Sequence, residues 1–331
     1  MKQKILEFLI KNENDYISGQ EMSEKLGVSR NAVWKHIQNL KKEGFQIESI
    51  KHKGYKLVQL EEHQKDCLNY GLISPYLDTE FIGNKIYYYD SVGSTNVEAK
   101  KLADKNSGEG WIVIAEEQTE GKGRLGRTWQ SPKKTGIWMS IVLRPDVEPR
   151  EVPQLTQLAA AALIEALAKF GIEAQIKWPN DIVINGKKIC GILTEMTGTI
   201  ERLNYIILGI GMNVNLEKND FPEELLDKAT SIYMENGQKM NRQELVGEVL
   251  NSIEKYYKYF VAHDHEKYLD VCRANSVLIG KTVRIIKHNK ERKGVAVGID
   301  NNGALIVEIE GKLEKVISGE VSVRGLYGYS E

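Results

Sequence analysis

Over the first 60 residues the apolar positions fall first at helical and then at strand spacing. In a first helix over 1–11, Ile5, Leu6, Leu9 and Ile10 share one face. Ile17-Ser18-Gly19 leads into a second short helix, with Met22 and Leu26 four apart. Gly27-Val28-Ser29 predicts a tight turn, and Ser29 is a good N-cap for a third helix running to about residue 42. Val33, Ile37 and Leu40 form the buried stripe of that helix, and Gly44 ends it. The stripe leaves Arg30, Asn31, Lys35, Gln38 and Lys41 on the other faces; Trp34 is ambiguous, since an aromatic there more often packs than reads bases. Two short strands, 46–50 and 55–58, then flank the basic tip His52-Lys53-Gly54. Helix, helix, turn, helix and basic hairpin is the order of a winged helix-turn-helix.

Beyond residue 65 the pattern mixes both periods. An alanine-rich amphipathic helix is expected over 153–170, stopped by Gly171, with later helices over 241–260 and 265–273. Strand-like runs cover 111–115, 137–143, 188–196 and 205–210. These predict a mixed α/β layer without a regular strand-helix-strand repeat. From Ser276 onward, short runs at 281–286, 293–299, 304–308 and 315–317 are punctuated by Gly280, Gly294, Asn302-Gly303 and Gly311. The predicted organisation is α+β and multidomain, with boundaries at 1–64, 65–274 and 275–331.

Charge changes this picture. The net charge of the 331 residues is only -1, yet residues 1–60 hold 11 basic and 7 acidic residues, and 61–274 hold 25 against 32. Within 29–56 there are seven basic residues and two acidic ones. A basic head on an acidic body favours DNA over a protein partner: the third helix would enter the major groove, with Arg30 and Asn31 at base edges and Lys35, Lys41, Lys51 and Lys53 on phosphates. The alternative is a helical interaction module with solvated lysines. No apolar run approaches the ~20 residues that span a bilayer, the start lacks a signal-peptide pattern, and Cys67, Cys190 and Cys272 form no C-x-x-C. A cytoplasmic protein without a disulfide framework is expected.

Four constellations carry candidate chemistry. Gly121-Lys122-Gly123-Arg124-Leu125-Gly126-Arg127 is a flexible cationic loop suited to phosphate or carboxylate, although a solvated basic turn has the same composition. Lys177-Trp178-Pro179-Asn180-Asp181 sets a lysine at a strand end beside a carboxylate; a strand-terminating turn with a surface lysine reads the same way. Asp90-Ser91-Val92-Gly93-Ser94-Thr95-Asn96 opens a helix, either as a capping box of Thr95 and Glu98 or as polar groups presented to a ligand. Gly209-Ile210-Gly211-Met212-Asn213-Val214-Asn215 reads as a strand running into a glycine turn, or simply a polar loop. The six histidines show no metal-ligand spacing, and His263 and His265 read as solvated.

In this order, with Gln118 and Cys190-Gly191-Ile192-Leu193, these motifs resemble the biotin–protein ligases; with the winged head, nearly the whole chain is similar to the bifunctional ligase/repressor type. The resemblance implies a class II synthetase-like central domain and an SH3-like C-terminal barrel. It implies ATP-dependent formation of biotinyl-5′-AMP, then transfer of biotin to a lysine of the carboxyl carrier domain of acetyl-CoA carboxylase or pyruvate carboxylase. Biotin, ATP and Mg²⁺ are the implied ligands, and operator DNA and an adenylate-dependent homodimer the implied partners. By motif, Lys177 and Arg124 would be catalytic; Ser94, Thr95, Asn96, Gln118, Gly121, Lys122, Gly123, Arg124, Lys177 and Gly191 would bind biotin. Arg124, Arg127, Trp129, Lys177, Asn180, Asn213 and Arg324 would hold ATP or the adenylate, with Glu320 assisting; Ser29, Arg30, Asn31, Lys35, Gln38, Lys51 and Lys53 would meet DNA. Lys122 stands where many relatives have arginine, keeping charge but not bidentate geometry. The rivals are a ligase whose head no longer represses, a non-catalytic ligand-sensing repressor and a lipoyl-type ligase.

Overall fold

The computed structural model describes residues 1–12, 15–42, 45–59, 66–199, 202–287, 290–318, 321–325 and 329. The expected helix stop at Gly44 and the assisting Glu320 lie outside the described residues.

The head holds helices α1 (Lys2–Lys11), α2 (Gly19–Leu26) and α3 (Arg30–Lys42), followed by strands β1 (Gln46–Ile50) and β2 (Gly54–Gln59). Its own apolar cluster joins Ile5, Leu6 and Leu9 of α1 to Met22, to the Val33, Ile37 and Leu40 stripe, and to Ile47 and Leu57 of the hairpin. Ser29 accepts from the Ala32 amide at 3.2 Å, as an N-cap should. Gly54 lets the wing lie against the chain before α2: at φ +118 it sits where a Cβ would be 2.0 Å from the Ile17 carbonyl oxygen. Ile17 and Tyr55 exchange two backbone hydrogen bonds at that point.

The body continues with α4 (Tyr70–Ile73), β3 (Ile86–Tyr89), α5 (Thr95–Asp104), β4 (Ile112–Ala115), β5 (Gly136–Leu143) and α6 (Val152–Lys169). Strands β6 (Gln175–Lys177), β7 (Asp181–Ile184), β8 (Lys187–Gly198) and β9 (Leu203–Asn213) follow, then helices α7 (Ile232–Asn236), α8 (Arg242–Val261) and α9 (Glu266–Ala274). The seven strands order as β3-β4-β5-β9-β8-β7-β6, with only β3 and β4 parallel.

Alternation along the strands assigns the two faces of this sheet. Ile112, Ile114, Met139, Ile141, Leu208 and Ile210 join α6, α8 and α9 in the large core. On the other face Val113, Val142 and Ile207 pack with Ala99 and Ala103 of α5. α6 is buried almost all round, which explains its run of apolar and small residues.

The tail is a five-stranded antiparallel sheet, β13-β12-β11-β10-β14. Its strands are β10 (Thr282–Lys287), β11 (Lys290–Ile299), β12 (Leu305–Ile309), β13 (Lys312–Val316) and β14 (Val321–Gly325). β14, absent from the sequence-based expectation, pairs with β10 and closes the strand order on that side. The tail shares the large core with the body, and Trp178 Nε1 donates to the Gly303 carbonyl at 3.0 Å. The head meets the body where Gly71 of α4 leaves room for Leu6 of α1; a Cβ there would lie 2.8 Å from the leucine side chain.

One buried ion network locks the start of α8 to the sheet. Arg242, with no exposed surface, lies 2.9 Å from both Glu116 and Asp66, and Nη1 donates to the Gly136 carbonyl. Glu116, equally buried, also accepts from the Leu68 amide. Removing one partner of such a pair leaves a charge buried without compensation, so Arg242→Ala is expected to lower stability by about 3–5 kcal/mol. Urea denaturation of the full chain measures this, and a loss under about 1 kcal/mol contradicts the role given to the pair.

Candidate functional site

The register of the sheet builds the site. Trp138, Gly211, Gly191, Asp181 and Lys177 are successive Cα partners across β5, β9, β8, β7 and β6, so their side chains share one face. The next row is Ser140, Gly209 and Leu193. On β9 this face runs Tyr205, Ile207, Gly209, Gly211: two large side chains, then none. That drop opens a trough at one end of the face that α5 covers at the other. Gly209 and Gly211 therefore lie within the strand, correcting the expectation of a glycine turn. Nothing larger fits, because a Cβ on Gly209 would stand 2.2 Å from Asn96 Oδ1 and one on Gly211 2.6 Å from Trp129 Nε1.

Three walls surround the trough. The first is the start of α5, whose N-cap is Ser94, without a side-chain cap hydrogen bond. The expected capping box of Thr95 and Glu98 is thus not formed: Thr95 occupies the first helical position, and Gln118 Oε1 accepts from both its amide (2.8 Å) and its hydroxyl (3.0 Å). Gln118 Nε2 in turn donates to Ser131 Oγ. Ser140 Oγ lies 2.8 Å from Thr95 Oγ1 and 2.5 Å from Asn96 Oδ1, and Asn96 Nδ2 donates to Glu195 at 2.7 Å. Burial opposes ionisation of Glu195, but Lys100 and Asn96 hold its carboxyl below the ordinary range. The ring of polar groups is consequently fixed before any ligand arrives.

The second wall is the glycine-arginine loop. Gly123 donates to the Arg127 carbonyl at 2.7 Å and Trp129 to the Gly121 carbonyl at 2.8 Å, so the loop is a narrow hairpin. Its tip turns through Leu125 at φ +57 and Gly126 at φ +72. Arg124 reaches inward and donates to Asn180 Oδ1 at 2.8 Å, while Lys122 and Arg127 are exposed. Gly121 is buried beneath Trp129 and lines neither of the two cavities that meet at this site.

The third wall is electrostatic. Lys177 is only 5 % exposed, and burial lowers its ammonium to about 8; Asp181 pulls it back up, while Lys188, Arg324 and Arg127 push it further down. Burial also opposes ionisation of Asp181, but Lys188 and Lys177 win, aided by hydrogen bonds from Lys188 and Tyr329, and its carboxyl stays below the ordinary range. Lys188 Nζ sits 2.5 Å from Asp181 Oδ1, the Tyr329 hydroxyl donates to Oδ2, and Lys177 Nζ lies 4.0 Å over the Tyr329 ring. Lys188 and Tyr329 were not among the residues expected from motifs. Lys188 stands three residues before Gly191 on β8, a signal available in sequence; Tyr329 had none.

Two cavities meet here. One of about 450 Å³ is lined by Ser94, Thr95, Asn96, Gln118, Gly191, Gly209 and Gly211. A second of about 1840 Å³ is lined by Lys177, Asp181, Asn213, Asp227, Arg284, Arg324 and Tyr329. Gly123, Arg124, Trp129, Asn180 and Lys188 border both. Trp129 Nε1 is buried between them without a hydrogen-bond partner. Such a donor suits a ligand acceptor.

A separate groove lies on the head, between the start of α3 and the wing. It is lined by Arg30, Asn31, Trp34, Lys51 and Lys53. Trp34, ambiguous from the sequence, is 56 % exposed on this groove and not packed in the core. Lys35 is exposed and Gln38 half-buried, and neither lines the groove; Ser29 Oγ is engaged in capping.

A small, polar-walled pocket opening onto a cationic cleft, with a winged helix on the same chain, defines a ligand-activating enzyme body joined to a DNA-binding head. The family description of biotin/lipoate A/B protein ligases matches residues 88–213, an HTH domain matches 2–56, and the biotin protein ligase C-terminal domain matches 278–324. The chain is 40% identical to the bifunctional ligase/repressor BirA of Bacillus subtilis over 98% of both chains, and 29% identical to that of Escherichia coli over 94% of both. A biotin protein ligase from Aquifex aeolicus in complex with biotin and ATP superposes with a TM-score of 0.64 at 29% identity, covering 73% of this chain and 99% of that one. The chain belongs to the biotin protein ligase family, in the bifunctional form that carries a helix-turn-helix repressor domain.

The buried lysine makes a prediction about stability. The folded ammonium titrates near 8 and the unfolded one near its ordinary 10.5. Between these values the unfolded chain binds more protons, so stability rises with pH. The penalty is complete below pH 8, and Lys177→Met removes it. The variant without ligands should therefore exceed wild type by up to about 3 kcal/mol at pH 7, and the gain should fade toward pH 10.5. Denaturation at pH 7 and pH 10 reads this; a variant less stable than wild type at pH 7 sinks it.

Proposed function

We propose that this chain joins biotin to ATP and passes the activated acyl group to a carrier protein, and that the same liganded state represses transcription through the head. The observation that carries the reading is the meeting of the two cavities across Arg124, Asn180, Lys188 and Trp129, with Lys177 facing the larger one. Biotin would occupy the small cavity, its ureido end toward Ser94, Thr95, Asn96 and Gln118, and its carboxylate toward the shared border beside Gly123 and Gly191. Lys122 would cap this pocket from outside, and Gly121 would contribute by letting Trp129 pack close. ATP would lie in the cleft lined by Arg127, Trp129, Lys177, Asn180, Asn213 and Arg324.

The first step forms a bond between a biotin carboxylate oxygen and the α-phosphorus and breaks the bond to pyrophosphate, which leaves; biotinyl-5′-AMP remains. Negative charge grows on the α-phosphoryl oxygens, and Lys177 and Arg124 are the cations placed to meet it. In the second step a carrier lysine nitrogen attacks the acyl carbon, AMP leaves and an amide forms. Mg²⁺ would neutralise charge on the triphosphate; with Asp181 engaged by Lys188 and Tyr329, Asp227 is the exposed carboxylate of the cleft that would be available to hold it. Carriers of the acetyl-CoA carboxylase or pyruvate carboxylase type, a cytoplasmic location and domain limits at 1–64, 65–274 and 275–331 complete the reading.

For the head, Arg30, Asn31 and Trp34 would face base edges, while Lys35, Lys51 and Lys53, with Ser29 and Gln38, would lie along phosphates. An adenylate that orders the loops at a dimer surface would favour a homodimer and hence operator binding.

Lys177→Ala is expected to slow adenylate formation by about 10²–10³-fold, measured as pyrophosphate release and as transfer of labelled biotin to a carrier domain. Unimpaired adenylation would refute its assignment. In gel shifts, Arg30→Ala and Asn31→Ala should weaken operator binding and leave biotin transfer intact, and biotin with ATP should raise wild-type operator affinity. Equal affinity with and without these ligands contradicts the coupling.

A further inference from the structure

Away from both clefts, a turn after α8 meets the start of α6. Here Glu151, His263 and His265 each turn one ligating atom toward the others, all within 4.8 Å. Glu151 Oε2 and His263 Nδ1 are 3.5 Å apart. Two ligands of a tetrahedral zinc ion stand about 3.4 Å apart when each bond is near 2.1 Å. Residues 151 and 263 are far apart in sequence, which is why spacing along the chain gave no sign of the cluster.

The surroundings hold these groups in place. His263 has φ +57, a left-handed conformation costly for a side chain with a Cβ, and its amide donates to the Phe260 carbonyl. The turn thereby presents two rings with centroids 5.8 Å apart. His265 stacks on Phe260 at an interplanar angle of 21°, which fixes its ring plane, and its Nε2 is buried without a hydrogen-bond partner. On Glu151, Oε1 accepts from the Glu148 amide at 3.2 Å, which leaves Oε2 facing His263. A hydrogen-bonded carboxylate and a ring held by stacking are the supports a metal site uses to orient its ligands.

We propose that Glu151, His263 and His265 bind a divalent transition-metal cation of the Zn²⁺ class, with water completing the coordination. Two imidazoles and a carboxylate select such ions over Mg²⁺ or Ca²⁺, which take oxygen ligands. The ion would clasp the α8–α9 turn to the start of α6. The adjoining Val152 and Pro153 line a further cavity with residues of the glycine-arginine loop, so the clasp would steady one wall of the space beside that loop.

The test uses the full chain stripped of metal by chelation, with ZnCl₂ in titration calorimetry and Co²⁺ as a spectroscopic probe. His263 is 63 % exposed, so His263→Ala disturbs no core contact. In Glu151→Gln the amide oxygen keeps the Glu148 hydrogen bond, so folding is preserved while the anionic ligand is lost. Wild type should bind one Zn²⁺ more than the double variant His263→Ala, Glu151→Gln, and each single change should weaken that site at least about tenfold. Co²⁺ should give visible absorption in wild type that the double variant lacks. The same Zn²⁺ stoichiometry and affinity in wild type and double variant, or no Zn²⁺ uptake by wild type at tens of micromolar, overturns the site.

Discussion

The Asp181 carboxylate, buried between two lysines, is the constraint on which the active face depends. Lys177 is buried and Lys188 partly so, and burial together with the neighbouring cations opposes the charge on Lys177. Asp181 supplies the opposing anion, and the register of β6, β7 and β8 dictates that it stands beside Lys177 on one side and Gly191 on the other. Tyr329 reaches the same carboxylate from beyond the last strand, so one anion meets two lysines and a tyrosine. On the proposed function, the arrangement would hold positive charge in the cleft before a phosphate arrives. Such fixed charges need little rearrangement when the transition state forms.

Head and body are joined by packing as well as by the chain. Leu6 of α1 fills the space left by Gly71, and Tyr70 beside it hydrogen-bonds Glu7. The network of Arg242, Glu116 and Asp66 ties the segment just before α4 to the end of β4 and the start of α8.

The helical stripes of the head were legible because local periodicity alone fixes them: Val33, Ile37 and Leu40 are buried as their spacing implies. The cationic loop and the Lys177 segment stand out in the sequence because their composition is unusual, and the structure brings both to the lining of one cleft. What failed was the reading of glycine. Gly209 and Gly211 look like a turn when taken locally, yet they continue a strand, because only the neighbouring Asn96 and Trp129 reveal why a side chain is absent. Thr95 and Glu98 match a capping box, but Gln118, 23 residues away, takes the Thr95 amide instead. Lys188, Tyr329, strand β14 and the histidine pair depend on partners distant in sequence, which no local pattern encodes.

The glycines of the sheet floor have a consequence for how selectivity is stored. The small cavity owes its shape to three missing methyl groups, at Gly191, Gly209 and Gly211, as much as to the polar groups around it. Its floor is a mould whose depth is set by subtraction. An added carbon at Gly209 would press on Asn96 and one at Gly211 on Trp129, so the space and the groups around it are set by the same absences. A search for determinants of ligand choice that inspects only polar side chains would overlook the residues that have nothing to show.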